Sequence, residues 1–99
     1  MRSFVSAQET AALRKLDCDL VLAALSEYLK EDALFVPRQD KASRRWFLTV
    51  DGQDFELLIT GSKFYDTRSE KGGGGAIDLV MHLFRVDFKS AINKLRLIR

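Results

Sequence analysis

Residues 46–60 read WFLTVDGQDFELLIT, and this stretch decides the fold. Trp46, Leu48 and Val50 alternate with Phe47 and Thr49, the period of two expected of a half-buried strand. Phe55, Leu57 and Ile59 alternate with Glu56, Leu58 and Thr60 in the same way. Between the two runs, Asp51-Gly52 is a strong hairpin signal, because both residues tolerate the positive φ of a tight turn. The stretch therefore predicts an antiparallel hairpin with one apolar face. Gly61-Ser62 turns the chain again, and Lys63–Asp66 reads as a short third meander strand.

Working outward, Thr67–Gly75 reads as a loop that ends in four glycines, Gly72–Gly75. Ala76, Ile77, Val80, Met81 and Phe84 then share a helix face, widened by Leu79 and Leu83. A break at Arg85-Val86-Asp87 precedes a last helix whose apolar face is Phe88, Ala91, Ile92 and Leu95. On the other side of the hairpin, Ala33–Val36 reads as a first strand, ended or kept at an edge by Pro37. Thr10–Glu31 reads as helical, with Val21, Ala24, Leu25 and Tyr28 on one face and Asp17 or Asp19 as N-cap. Residues 1–9 read as a loose arm. The expected fold is a single α+β domain over residues 1–99. It has an N-terminal helix, a small antiparallel sheet of three or four strands, and two C-terminal helices packed on it. The chain ends soon after a helix, as a module excised from a longer protein would.

The chain of 99 residues is 46% hydrophobic, enough for one core without disulfide or metal staples. No apolar run approaches the length of a membrane span, and the N-terminus lacks the apolar region of a signal peptide. The single cysteine, Cys18, excludes an internal disulfide and fits a reducing cytoplasm. Net charge is only +2, but its distribution is uneven. Residues 1–37 hold four Lys/Arg against six Asp/Glu, whereas residues 38–99 hold twelve against eight. The second part is where a polyanion would be met.

No catalytic constellation is visible. Nucleophilic catalysis needs Ser or Cys beside a base, and the only His, His82, and the only Cys, Cys18, fall on different helices. Asp78 and His82, four apart, offer two metal ligands without a third. His82 is expected as a surface or boundary residue and Cys18 as a small helix residue, so neither an enzyme nor a metal or other cofactor is expected. The glycine run has two readings. In one, glycine lets a helix start close to the sheet. In the other, the N–H groups of Gly75, Ala76 and Ile77 face an anion beside Lys71. The spacing of a nucleotide-hydrolase phosphate loop is absent, because Lys71 precedes the glycines.

Arg38, Lys41, Arg44 and Arg45 stand within eight residues, offset by Asp40 and followed at once by Trp46 and Phe47. Cations of this kind track a phosphate backbone, while an exposed aromatic stacks on bases. One of Trp46 and Phe47 must be core, since neighbours in a strand point to opposite faces. Trp46 and Tyr65 are the stacking candidates, and Lys63, Arg68 and Lys71 extend the cationic track. Reversal of Arg44 and Arg45 to Glu is expected to weaken single-stranded DNA binding and flatten its salt dependence.

The order of residues from about Val36 to Leu95 resembles the zinc-binding domain of bacterial replicative primases. That domain has a Cys-Pro-x-His element, a polar loop, a three-stranded meander, a Cys-x-x-Cys knuckle, a Gly-Gly-Asp run into an Ile-x-x-Val helix, and a Ser-Phe-x-Glu-Ala-Val helix. Here Val36-Pro37-Arg38-Gln39 stands at the first element and Phe64–Arg68 at the knuckle. Gly73–Val80 and Asp87–Ile92 resemble the two helix runs. Every ligand position lacks Cys and His, and Gly75 replaces the Asp of Gly-Gly-Asp. The pattern is more similar to the zinc-less relatives found ahead of Toprim domains in primase-like and mobilisation proteins of plasmids and integrated elements. The resemblance implies a zinc-ribbon-like fold without its metal, contact with single-stranded DNA in replication, priming or transfer of a mobile element, and a primase, polymerase or relaxase as protein partner. It also makes the glycine run a surviving hinge and moves the DNA contact to the basic loop and sheet. The alternative is an adaptor of a phage or mobile element that docks on an enzyme through an apolar sheet patch at Phe47, Phe55 or Phe64.

Overall fold

Arg44–Val50 (β2) and Gln53–Thr60 (β3) pair antiparallel, with Leu48 opposite Phe55 and Trp46 opposite Leu57. The turn between them is Asp51-Gly52, at φ 52° and 77°, the paired positive values of a type I′ hairpin. In this computed structural model, residues 5–98 are described. Lys63–Asp66 (β4) adds to β3, and two further strands extend the sheet. Tyr28–Glu31 (β1) pairs with β2, and Lys71–Gly73 (β5) pairs with β4. The result is a five-stranded antiparallel sheet in the order β1-β2-β3-β4-β5.

Four helices accompany it among the described residues: Ala7–Arg14 (α1), Cys18–Leu25 (α2), Ala76–Phe84 (α3) and Phe88–Ile98 (α4). The alternation read in the hairpin sets which face they cover. Leu48, Val50, Leu57 and Ile59 are all at most 2% exposed, and they form one core with Leu13, Leu22, Leu79, Val80, Ile92 and Leu95 of the helices. The residues between them, Arg45, Phe47, Leu58 and Thr60, remain partly exposed on the opposite face. A core truncation such as Leu57→Ala therefore costs about 2–5 kcal/mol. The helix ends are held locally. The Ser6 side chain accepts from Glu9 N–H at 3.0 Å, and Asp87 accepts from Ser90 N–H at 2.9 Å. Arg96 of α4 donates through Nε and Nη2 to both carboxylate oxygens of Glu9 in α1, at 2.8 and 2.7 Å.

Several sequence expectations are corrected. Residues 7–9 are not an arm but the first turn of α1, started by the Ser6 N-cap on Glu9 N–H. The rest of that arm is Val5 and Ser6, which precede the helix, and residues 1–4, which lie outside the described residues. The single helix over Thr10–Glu31 is two helices and a strand. Asp17 does hold the N-cap position of α2, in extended conformation, but makes no side-chain capping hydrogen bond. Tyr28 and Leu29 leave the helix because the backbone of β2 needs a partner on that side. Glu27 N–H donates to Thr49 O at 2.8 Å, and Leu29 then faces the core from β1 opposite Leu48. Ala33–Val36 is not a strand. Asp32 turns the chain there, its carboxylate accepting from Leu34 N–H at 3.0 Å. Asp40 does the same for Ala42 N–H at 2.9 Å, so residues 32–43 form a loop with two Asp-led turns.

The glycines act through close approach. A Cβ on Gly73 would lie 2.6 Å from Phe64 Cε1 and 2.8 Å from Asp78 Cβ, so only glycine lets β5 pass between β4 and α3. A Cβ on Gly75 would lie 3.0 Å from the carbonyl oxygen of Arg14, where α1 ends against the start of α3.

Candidate nucleic-acid interface

Helices cover one face of the sheet, so the chemistry of the other face decides what the domain can bind. Strand register aligns Arg45, Leu58, Tyr65 and Gly72 in one row across it. The next row holds Phe47 beside Glu56, and on the other side Thr60 stands beside Lys63. The loop over residues 35–43 folds back onto this face and leaves a cleft of about 620 Å³. Pro37, Arg38, Leu58, Thr60, Lys63 and Tyr65 are among its walls. Tyr65 is 43% exposed. A Cβ on Gly72 would lie 3.1 Å from Tyr65 Cδ1, so the ring leans over a residue that leaves it room.

The expected site residues divide between the two faces. Arg38, Lys63 and Tyr65 come together at the cleft. Lys41 is exposed in the same loop. Arg68 reaches the open face from the turn after β4, with Nη2 4.0 Å from Glu56 Oε1. Arg45 is on that face but committed: it pairs with Glu56 and lies over the Phe47 ring, 5.6 Å from the centroid. Arg44 and Trp46 point the other way. Arg44 lies 3.7 Å from Glu31, and Trp46 packs on the core with its buried Nε1 turned to the Asp19 carboxylate of α2. Trp46 is therefore the core-facing member of its pair and lies on the helix side, away from Tyr65. Lys71 is exposed on β5, in register with Asp66 and so on the helix side of the sheet edge. Reversal of Arg44 and Arg45 together would break two ion pairs on opposite faces and would not isolate a phosphate contact.

The start of α3 is closed rather than open to an anion. Ala76 and Ile77 are 0% and 2% exposed, and Gly75 is buried against Arg14. Of the two readings of the glycine run, close packing is the one realised at this helix. Asp78 and His82 do not converge either. Asp78 is exposed, whereas His82 turns to Asp66.

That contact belongs to a buried polar network centred on Asp66, and sequence reasoning missed it. Asp66 is 3% exposed. Its Oδ1 accepts from Arg68 N–H at 2.9 Å and Ser69 N–H at 3.2 Å, and His82 Nε2 lies 2.7 Å from Oδ2. An ionised carboxylate only accepts, so His82 carries a proton on Nε2. The His82 ring sits between Phe64 and Phe55, with centroids 5.6 and 6.0 Å away. Burial pushes the Asp66 carboxyl up, but the bonds from His82, Ser69 and Arg68 outweigh it and hold it below its ordinary value. The local signal was Asp66-Thr67-Arg68-Ser69, an Asp-led turn; the His82 partner depends on how α3 packs. Cys18 is fully buried, and burial first, then Asp19 and Asp17, pushes its thiol up to about 12. Among the described residues no three His, Cys, Asp or Glu side chains gather in a metal-binding group. Among them, too, no helix is long and apolar enough to cross a membrane.

No family model matches the chain, and no solved structure matches it. A curated relative, the "65 kDa protein" of Zymomonas mobilis subsp. mobilis, is 37% identical over 88 residues. The match covers 88% of this chain and 14% of the relative, so the chain spans about one seventh of that protein's length.

Proposed function

We propose that this domain is a non-catalytic module that binds single-stranded nucleic acid, most simply DNA, on the helix-free face of its sheet. The observation that carries the reading is the convergence of an exposed aromatic, Tyr65, with Lys63 and Arg38 at one cleft on that face. A ring gives every base a stacking partner and cations give the backbone a track, without requiring a particular sequence. Arg68 extends the track along the same face.

The likeness to zinc-less relatives of the primase zinc-binding domain fits this reading. The segment at the Cys-Pro-x-His position, Val36–Gln39, faces Phe64 and Tyr65 of the knuckle segment across the cleft. Where such a domain would use a metal to hold the knuckle, Asp66 holds the turn through Arg68 and Ser69 and ties it to α3 through His82. In this account the fold is zinc-ribbon-like with a hydrogen-bonded staple in place of the ion. The module serves a cytoplasmic primase, polymerase or relaxase of a mobile element.

The adaptor alternative rests on apolar patches at Phe47, Phe55 or Phe64. Phe64 is 6% exposed and Phe55 packs on the core, and Phe47 lies under the Arg45 guanidinium. These positions make no cation-free apolar patch. The test compares single charge reversals on the two faces. Lys63→Glu is expected to weaken oligothymidine binding several-fold at low salt, and Arg44→Glu, on the helix side, to leave it unchanged. Equal effects from both would contradict binding on the open face.

A further inference from the structure

The cleft at residues 35–43 encloses more space than the hollow at Tyr28, Phe47 and Arg68 on the same face. In the middle of the sheet Arg45 is paired with Glu56, and Glu56 also accepts from Thr67 Oγ1 at 3.1 Å. Beyond it Lys30 stands beside Phe47 in register, and the hollow at Tyr28, Phe47 and Arg68 is smaller, about 250 Å³. At the cleft end, an exposed ring shares the walls with two cations that belong to different segments, Arg38 in the loop and Lys63 in β4. The lining is apolar at Pro37 and Leu58 and includes a hydroxyl pair, Ser43 Oγ and Thr60 Oγ1, 2.7 Å apart.

We propose that this cleft receives one unstacked base of a single-stranded nucleic acid. Tyr65 forms the stacking wall, and Lys63 and Arg38 hold the phosphates on either side of that nucleotide. The inference rests on the nucleic-acid reading and deepens it to a defined one-base site. Its volume of about 620 Å³ lies within the range of small-molecule sites and has room for a base with its sugar. An apolar slot with a few fixed polar groups suits a flat heterocycle better than a run of backbone, and Asp40 in its lining disfavours a phosphate placed inside. The hydroxyl pair can both donate to and accept from the edge of a base, so it discriminates weakly among bases. Gly72 contributes by leaving Tyr65 its space: any side chain there would meet the ring or the Phe64 carbonyl oxygen, which lies 2.8 Å from a Cβ at that position.

The test is fluorescence anisotropy of a labelled oligothymidine with the full chain and three variants, Tyr65→Ala, Tyr65→Phe and Lys63→Glu. The expected result is a loss of roughly tenfold or more for Tyr65→Ala, with Tyr65→Phe close to the parent, because one base–aromatic stack is lost in the first and kept in the second. Circular dichroism checks that both Tyr65 variants fold. Binding that is lost with Lys63→Glu but unchanged with Tyr65→Ala overturns the one-base site and leaves the nucleic-acid reading standing. Absence of oligothymidine binding by the parent chain at low salt overturns both. An apolar helical peptide that shifts the NMR signals of Leu58 and Tyr65 where oligothymidine does not would make the cleft a protein-docking groove and overturn both as well.

Discussion

Removal of the Asp66 carboxylate should weaken the fold measurably, and the size of the effect follows from its partners. Asp66→Ala deletes a contact to His82 at 2.7 Å and two backbone contacts from Arg68 and Ser69. A hydrogen bond to a charged group contributes about 1.5–3 kcal/mol, and the half-buried His82 would lose its partner. The backbone groups of the exposed Arg68 and Ser69 regain water, so each adds only about 0.5 kcal/mol. The total is about 2.5–4 kcal/mol, a large share of the stability of a small domain. Asp66→Asn keeps one oxygen for the turn and loses the charge opposite His82, which gives a smaller loss of about 1 kcal/mol. Urea unfolding followed by the fluorescence of the single Trp46 measures both. With a slope near 1 kcal/mol per molar for a chain this short, Asp66→Ala should lower the midpoint by about 2.5–4 M. The same staple has a pH signature. Its carboxyl is held below the ordinary value in the folded chain, so its stabilisation is complete above an unfolded pKa of about 4 and is lost as pH falls through the folded value. The gap between the parent and Asp66→Asn should therefore close in acid. A midpoint for Asp66→Ala equal to that of the parent, or a gap that stays constant down to the lowest pH, would refute the staple.

Cys18, fully buried and with its thiol pushed up to about 12, should resist thiol reagents at pH near 8 and react fully once the chain is unfolded. A native rate like that of a free thiol would contradict its placement at the start of α2. Gly73→Ala should cost about 1–3 kcal/mol by thermal unfolding, because the new methyl meets the Phe64 ring and Asp78. Gly74→Ala, with nothing within 4 Å of its Cβ, should change stability far less, and the reverse order would refute the packing of β5.

The hairpin and both C-terminal helices were legible because their signals are local. Alternation and an Asp-Gly turn specify β2 and β3, and period and breaks specify α3 and α4. The misread segments were those whose state is decided by a distant partner. Tyr28 and Leu29 continue the apolar spacing of α2, yet they pair with β2 because that edge would otherwise carry unpaired backbone groups. Lys71–Gly73 has no strand propensity at all and becomes β5 because glycine alone fits between Phe64 and α3. Ala33–Val36 looked apolar enough for a strand, but Asp32 captures the backbone of Leu34 first. The candidate site was partly legible for the same reason. Alternation told that Trp46 and Phe47 face opposite ways, but not which way, and the adjacent cations Arg44 and Arg45 had to part with them. The cleft joins residues 35–43 to β3 and β4, and the Asp66–His82 pair joins β4 to α3. Neither leaves a mark in any one stretch of sequence.

The most direct measurement is the affinity of the unmodified chain for a short labelled oligothymidine at about 50 and about 200 mM salt, repeated with Lys63→Glu. Phosphate contacts from Arg38, Lys63 and Arg68 predict binding that weakens with salt, with a logarithmic slope of about −2 for three single-strand contacts. Lys63→Glu should make that slope shallower by about 0.7. Absence of binding at the lower salt, or an affinity that neither salt nor Lys63→Glu alters, would contradict a nucleic-acid interface on the open face of the sheet.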